Sequence, residues 1–531
     1  MPHSLRLAAV LTLLACASTA PAATPPVDSR IEALLAQLGK VQPIRAAQLS
    51  PDGRKLAWVT ETDDQPGVQV ADADGSHARA VDLSAKAGSC SQESIAWAPD
   101  SQHLAYVSDC HGAAVEGKSR ASQIVLADVR GNAAPKLLAT LNGNAQALEW
   151  AGDGSRVAFL YVEGATRRAS AVYAAKPAAG EVGVDGLEVQ RVASVAATGG
   201  ALQMLTPAAS YVYEFSLSPD AQRLAYVAAP APGDNNWWVA KLYAQDAQPL
   251  AAPVVLVDTL ALAGSLHGLQ IALPRWSPDG SRLAFIGGLM SDQGSTGGDI
   301  YSVPSQGGQV TNLTPGIRVT PAWLAWNSNQ QLLVAQVHNG EGELALYRLD
   351  ADKAAQDRVL FTLPASFSDG TAAMALSLSR DHSQAAYVQS SFAQAPEVHA
   401  GALATTAPRA VTAINAALKP AWGKAESVEW DNEGRHVQGW LLYPVGYDAS
   451  KSYPMIVDVH GGPSAAVMPR WPSVGFSGVP FSALGYFVFM PNPRGSFGQG
   501  EAYVQANRKD FGYGDLRDIL AATGRVTTVK T

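Results

Sequence analysis

Apolar and polar positions in this chain fall into a unit that recurs seven times. A tight polar turn is followed by one or two polar residues and then by a short apolar run. The unit reads LSPDGRKLAWVT from Leu49, WAPDSQHLAYVS from Trp97, WAGDGSRVAFLY from Trp150 and LSPDAQRLAYVA from Leu217. It continues as WSPDGSRLAFIG from Trp276, WNSNQQLLVAQV from Trp326 and LSRDHSQAAYVQ from Leu378. The aligned turn residues are Asp52, Asp100, Asp153, Asp220, Asp279, Asn329 and Asp381. Pro presets φ at the first central position of a turn, Asp accepts backbone N–H groups, and Gly supplies a positive φ where the next strand begins. The apolar run after each turn is rich in strand formers. A repeat of about fifty residues holding several such strands has the size of a four-stranded propeller blade. The spacing predicts a β-propeller of seven blades over residues 42–422, with room for an eighth, degenerate one. A closed ring of blades leaves no open sheet edge. The aromatic residue that starts many of the repeats is read as blade packing, and the turn Asp as a turn former rather than a metal ligand.

After Trp422 the texture changes. ESVEWDNEGRHVQGWLLYP reads as two antiparallel strands, around Val428–Trp430 and Val437–Tyr443, joined at Asn432-Glu433-Gly434. PMIVDV and GYFVFMPN are continuous apolar runs of the kind expected of buried parallel strands. DLRDILAATGRV places Leu516, Ile519 and Leu520 at helical spacing, with Asp515 near the helix N-terminus. Strands alternating with helices and glycine-rich loops argue for an α/β region over 423–531.

The first residues set a different expectation. Arg6, the apolar stretch Leu7 to Ala15 and the small residues up to Ala20-Pro21-Ala22 form a secretory signal over 1–22. They imply a periplasmic or secreted protein. Leu13-Leu14-Ala15-Cys16 is an imperfect lipoprotein box, so soluble export is favoured over a lipid on Cys16. In an oxidising compartment Cys90 and Cys110, which flank two strands and a turn, are expected to form a disulfide. The 531 residues are 47% hydrophobic and 16% charged, with a net charge of −8 and no Lys/Arg cluster, which speaks for a folded protein and against a nucleic-acid partner. No central run is long enough for a membrane span. The ten His residues show no ligand spacing, so no metal and no cofactor is expected.

The signal, the SPDG-type repeats and YPMIVDVHGGP…GYFVFMPNPRGSFGQGEAY…DFGYGDLRDI together resemble the prolyl oligopeptidase family of serine peptidases, in the branch of acylaminoacyl peptidases and bacterial dipeptidyl peptidases. The helix expected at SRIEALLAQL, within 23–41, resembles the family segment that packs on the hydrolase. The resemblance implies an α/β-hydrolase capped by the propeller, with an oligopeptide substrate. It implies a Ser nucleophile on a G-x-S-x-G elbow, followed by Asp and His. No G-x-S-x-G occurs in this sequence. The expectation is a hydrolase domain that is incomplete over 423–531, a truncated chain without its triad, and no hydrolysis by the chain as written.

What remains of such a site is a loop. A Gly-Gly pair after a strand can turn sharply and present backbone N–H groups to an oxyanion. The resemblance makes the Gly462 N–H the donor, with Gly461 beside it. His460 is read as fixing the loop rather than as a base, and Arg494 as a loop arginine holding carbonyls and a nearby carboxylate. The paired Glu residues with which dipeptidyl peptidases grip an amino terminus have only Glu181 and Glu188 as candidates by position. Endo-, dipeptidyl- and acylaminoacyl-peptidase activities stay open. The competing reading is a periplasmic propeller that binds or scaffolds partners, similar to that of the Tol system, and residues 426–522 argue against it.

Overall fold

Each of the seven turns joins two strands of one antiparallel sheet. The pairs are Ile44–Leu49 with Lys55–Glu61, Gln92–Trp97 with His103–Ser108, Gly143–Trp150 with Arg156–Glu163, and Ser210–Leu217 with Arg223–Pro230. Next come Gln270–Trp276 with Arg282–Gly288, Thr320–Ser328 with Gln331–His338, and Ser377–Leu378 with Gln384–Ser390. The turn chemistry is uniform. Asp52, Asp100, Asp153, Asp220, Asp279 and Asp381 each accept the N–H two residues on, at 2.8–3.1 Å. The residue after each Asp has a positive φ, whether it is Gly53, Gly154 and Gly280 or the non-glycine Ser101, Ala221 and His382. Asn329 departs from the pattern: its Oδ1 accepts the N–H of Asp279, tying the sixth turn to the fifth.

This computed structural model describes residues 28–529 except 62–65, 83–89, 113–120, 132, 166–187, 232–233, 250, 351–352, 371–372 and 476. The signal segment 1–22, Cys16 and Glu181 lie outside the described residues.

Among the described residues, six of these seven sheets have four strands and the seventh has five. Apolar clusters lie between successive sheets: Ile95 and Trp97 pack with Val59 and Val70, and Ala145 and Phe159 with Val107 and Ile124. The circuit closes, because Leu49 and Trp58 of the first sheet share a cluster with Ala386 and Val398 of the seventh. The Arg380 N–H also donates to Pro51 O, at 2.7 Å. A ring of radially packed antiparallel sheets is a β-propeller. The repeat tryptophans bond across the seams. Trp97, Trp150, Trp276 and Trp326 donate through Nε1 to carbonyls of the preceding sheet at Gln48, Ala96, Ser216 and Arg275, all at 3.0–3.1 Å. These rings bury apolar area and satisfy their one donor in the same place.

The C-terminal region is one mixed sheet. Its strands are β1 (Ala425–Asn432), β2 (Arg435–Leu442), β3 (Met455–Val457) and β4 (Phe487–Asn492), in the order β1-β2-β4-β3. The β2–β4 pair is antiparallel and β3–β4 is parallel. The N-terminal helix α1 (Ser29–Leu38) has Asp28 as its N-cap and buries Leu34 and Leu38 against Trp422, Trp440 and Trp471. A short helix α2 (Glu501–Val504) and a longer α3 (Gly514–Val529) follow the sheet strands.

Two expectations differ here. The run at PMIVDV is a strand for three residues only and is half-buried, because β3 sits at the edge with a single neighbour. Leu516 and Leu520 of α3 are exposed, at 48% and 58%, and the helix turns Gly514, Asp518 and Ala522 inward instead. The buried side of α3 is thus centred on a carboxylate, for a reason found at Arg494.

Candidate active-site loop

The HGGP loop leaves the C-terminal end of β3, the end of a parallel strand at which α/β folds gather their ligands. Gly461 and Gly462 are both exposed, and Gly462 has φ 138°, which favours glycine. Among the described residues no group accepts the Gly462 N–H. His460 is half-buried. Its Nδ1 lies 3.0 Å from the carbonyl oxygen of Gly461 and its Nε2 lies 3.0 Å from Oγ of Ser496. Burial holds the imidazole below its ordinary pKa, so the ring is neutral near pH 7. Ser496 is buried, at 1% exposure. His460 meets a carbonyl where a base would need a carboxylate, so the Ser496–His460 pair lacks the third member that steadies an imidazolium.

The same stretch that supplies Ser496 anchors itself through Arg494 on its other side. Nε and Nη2 of Arg494 donate to the two carboxylate oxygens of Asp518 at 2.9 and 2.7 Å, and its backbone N–H adds a third bond at 2.9 Å. Glu433, in the β1–β2 turn, lies 2.9 Å from Nη2. Asn432 also donates to Asp518, at 2.8 Å. This bidentate pair locks the loop after β4 onto α3.

The propeller holds the loop from above. Ser291 Oγ accepts the N–H of Ser464 at 2.7 Å, and Ser295 Oγ donates to the carbonyl of the same residue at 2.8 Å. Phe497 N–H donates to Ala465 O at 2.8 Å, joining the two loops of the sheet. Gly498 N–H reaches Thr320 Oγ1 at 2.9 Å, and Leu289 N–H reaches Glu501 Oε1 at 2.9 Å. The fifth and sixth propeller sheets therefore form the opposite wall of the site. At Gly500 (φ 85°) the two parts approach so closely that an added Cβ would overlap the carbonyl oxygen of Ile317.

Beside α2 a cavity of about 500 Å³ is lined by Ser265, Asp299, Glu501, Gln505 and Arg508 among others. Burial pushes the Glu501 carboxyl up to about 7 and that of Asp299 up to about 6. Both folded values exceed the ordinary 4.5 and 3.8, so the folded state holds protons that the unfolded state has lost. Their contribution to stability is full below the ordinary values and declines as pH rises toward 7. Thermal midpoints of the Glu501→Gln variant should fall less steeply than those of the parent between pH 4.5 and 7. Parallel curves would show that Glu501 does not titrate in this window.

Cys90 and Cys110 are joined by a disulfide with a Cα–Cα distance of 4.9 Å. It closes the strand pair of the second sheet, apart from the sheets that wall the loop. The bond engages both sulfurs of the one His/Cys/Asp/Glu trio, Cys90, Asp109 and Cys110, close enough for a shared ion among the described residues. Glu188 is buried, at 9% exposure, just before the third-sheet strand Gln190–Ala196. The sequence singled out His460, Gly461, Gly462 and Arg494 but not their partners. Ser496 and Asp518 lie inside quoted motifs, where a signal existed. Ser291 and Ser295 sit off the repeat, and nothing in the pattern marks them.

Residues 472–528 match the model of the prolyl oligopeptidase family. A probable dipeptidyl-peptidase 5 of Aspergillus terreus is 34% identical over 93 residues, covering 18% of this chain and 13% of the relative. A probable dipeptidyl-peptidase 5 of Aspergillus niger is 25% identical over 315 residues, covering 58% of this chain and 42% of the relative. The chain thus spans less than half the length of these curated relatives. In three dimensions it is similar to an acylaminoacyl peptidase crystallised with a chloromethyl ketone. The TM-score is 0.63 at 14% identity, covering 92% of this chain and 72% of that one. The family model and the curated relatives make this chain similar to the prolyl oligopeptidase family over part of its length, and the solved acylaminoacyl peptidase shares its fold.

Proposed function

We propose that this chain carries the propeller and the oxyanion-side loops of an exported serine-type oligopeptidase that works through an acyl-enzyme. The observation that carries the reading is the exposed Gly461–Gly462 pair after a parallel strand, two residues before Ser464, whose own N–H is bonded to Ser291 of the propeller. Such a donor lowers the barrier of acyl transfer by holding the tetrahedral oxyanion, an effect of about 3–4 kcal/mol for one N–H in a dry site. A seven-bladed ring over the site admits short, flexible peptides and excludes folded proteins. The similarity to dipeptidyl-peptidases and to an acylaminoacyl peptidase supports a substrate whose scissile bond lies near an amino terminus. Export follows from residues 1–22. A binding propeller has no use for an exposed glycine loop of this kind.

With no G-x-S-x-G in its 531 residues, the chain by itself is expected neither to label with a fluorophosphonate serine probe nor to cleave peptide anilides. Joined after α3 to the C-terminal part of a dipeptidyl-peptidase 5, it is expected to do both. Labelling of the chain alone would overturn the inactivity. A folded chimera that binds the probe yet cleaves neither dipeptidyl nor acylaminoacyl anilides would overturn the peptidase reading.

A further inference from the structure

The carbonyl of Gly461 and the N–H of Gly462 belong to one peptide unit. That unit is planar and trans, so its C=O and N–H point in opposite directions. Whatever fixes the carbonyl therefore aims the amide. His460 Nδ1 is 3.0 Å from that carbonyl oxygen. A carbonyl brings no proton, so the bond exists only when Nδ1 carries the hydrogen. In a neutral ring Nε2 is then bare and must accept. The group it faces is the hydroxyl of Ser496, at 3.0 Å. A hydroxyl can donate or accept, and here the geometry leaves it only the donor's part. The partner of one ring nitrogen sets the proton on the other.

We propose that Ser496 is a positioning residue of the oxyanion loop: by donating to Nε2 it holds His460 in the Nδ1–H tautomer, which pins the Gly461 carbonyl and turns the Gly462 N–H toward the site. Ser496 is well placed to act as a fixed point. It is buried, its own N–H donates to Pro493 O at 3.0 Å, and the turn containing it is bolted to Asp518 through Arg494. The chain of bonds runs from the rigid loop after β4, through a hydroxyl and an imidazole, to one peptide plane. The use of that N–H rests on the peptidase reading, whereas the tautomer does not, so the two fail separately.

The test uses the full chain labelled with ¹⁵N-histidine. Long-range ¹H–¹⁵N spectra distinguish the two neutral tautomers and the imidazolium, and the His460 signals are those lost in His460→Gln. The expected result at pH 7 is an Nδ1-protonated neutral ring. Ser496→Ala should lose that signature in favour of the Nε2–H form or a mixture, and Ser496→Thr, which keeps the hydroxyl, should restore it. An Nε2–H or doubly protonated ring in the unmodified chain would overturn the proposal without any substitution. A folded Ser496→Ala chain that retained the Nδ1–H ring would overturn it as well.

Discussion

Asp518→Ala should destabilise the C-terminal region by about 3–5 kcal/mol, the range for removing one partner of a buried ion pair. The side chain of Asp518 is fully buried and that of Arg494 is 5% exposed. Four N–H groups converge on the carboxylate, three from Arg494 and one from Asn432. Alanine would leave a guanidinium out of water with Glu433 as its remaining ionic partner, and Glu433 is itself 42% exposed. Asp518→Asn should cost less, because the amide oxygen still accepts. The donor of Trp430 goes to the backbone carbonyl of Asp518, at 2.9 Å, so the fluorescence difference between the chain and its Trp430→Phe form, among twelve tryptophans, reports on α3. Denaturant titrations followed at that signal should give a lower midpoint in both variants, lower in the alanine. A midpoint shift worth less than about 1 kcal/mol, the level of a surface ion pair, would mean that Arg494 finds full compensation elsewhere.

The second large effect concerns the second propeller sheet. Cys90 and Cys110 are 20 residues apart in sequence, and their bond closes a loop that contains a complete strand pair. A cross-link of that span removes unfolded-state entropy worth about 3 kcal/mol. The native geometry does not depend on it. Ser91 N–H donates to the Asp109 carboxylate at 2.6 Å, Asp109 N–H donates back to Ser91 O at 3.1 Å, and Gln92 pairs with Ser108. The doubly substituted Cys90→Ser/Cys110→Ser chain should therefore fold to the same sheet and unfold at a markedly lower denaturant concentration. Adding a reductant to the parent should reproduce that midpoint. Equal midpoints with and without the bond would show that this hairpin stays closed in the unfolded ensemble.

The propeller was legible because its information is local and repeated. Asp at a fixed turn position, a positive φ after it and an apolar run beyond are set within a dozen residues, and six such copies beside the Asn329 variant leave little room for accident. The glycine loop was legible for a related reason, since two consecutive glycines after an apolar run announce a backbone made to be approached. What the sequence hid was long-range and polar. The spacing of Leu516, Ile519 and Leu520 points to an apolar helix face, yet α3 faces inward with Asp518, since an arginine 24 positions earlier needs a carboxylate. The apolar run at Met455 reads as a buried strand, but burial belongs to neighbours and not to the strand itself, and β3 has one. Ser291 and Ser295 carry no pattern at all; their role exists only because the ring brings the fifth sheet over residue 464.

That last arrangement couples the glycine loop to the seating of the propeller. The N–H and the C=O of Ser464 are satisfied by side chains from the other half of the protein, two residues beyond the glycines. Parting the two halves at this point would release both backbone groups at once. The loop that follows Gly462 is therefore held taut by the fifth sheet that sits over it. Two serine hydroxyls thus make the set of this backbone depend on how the propeller is seated.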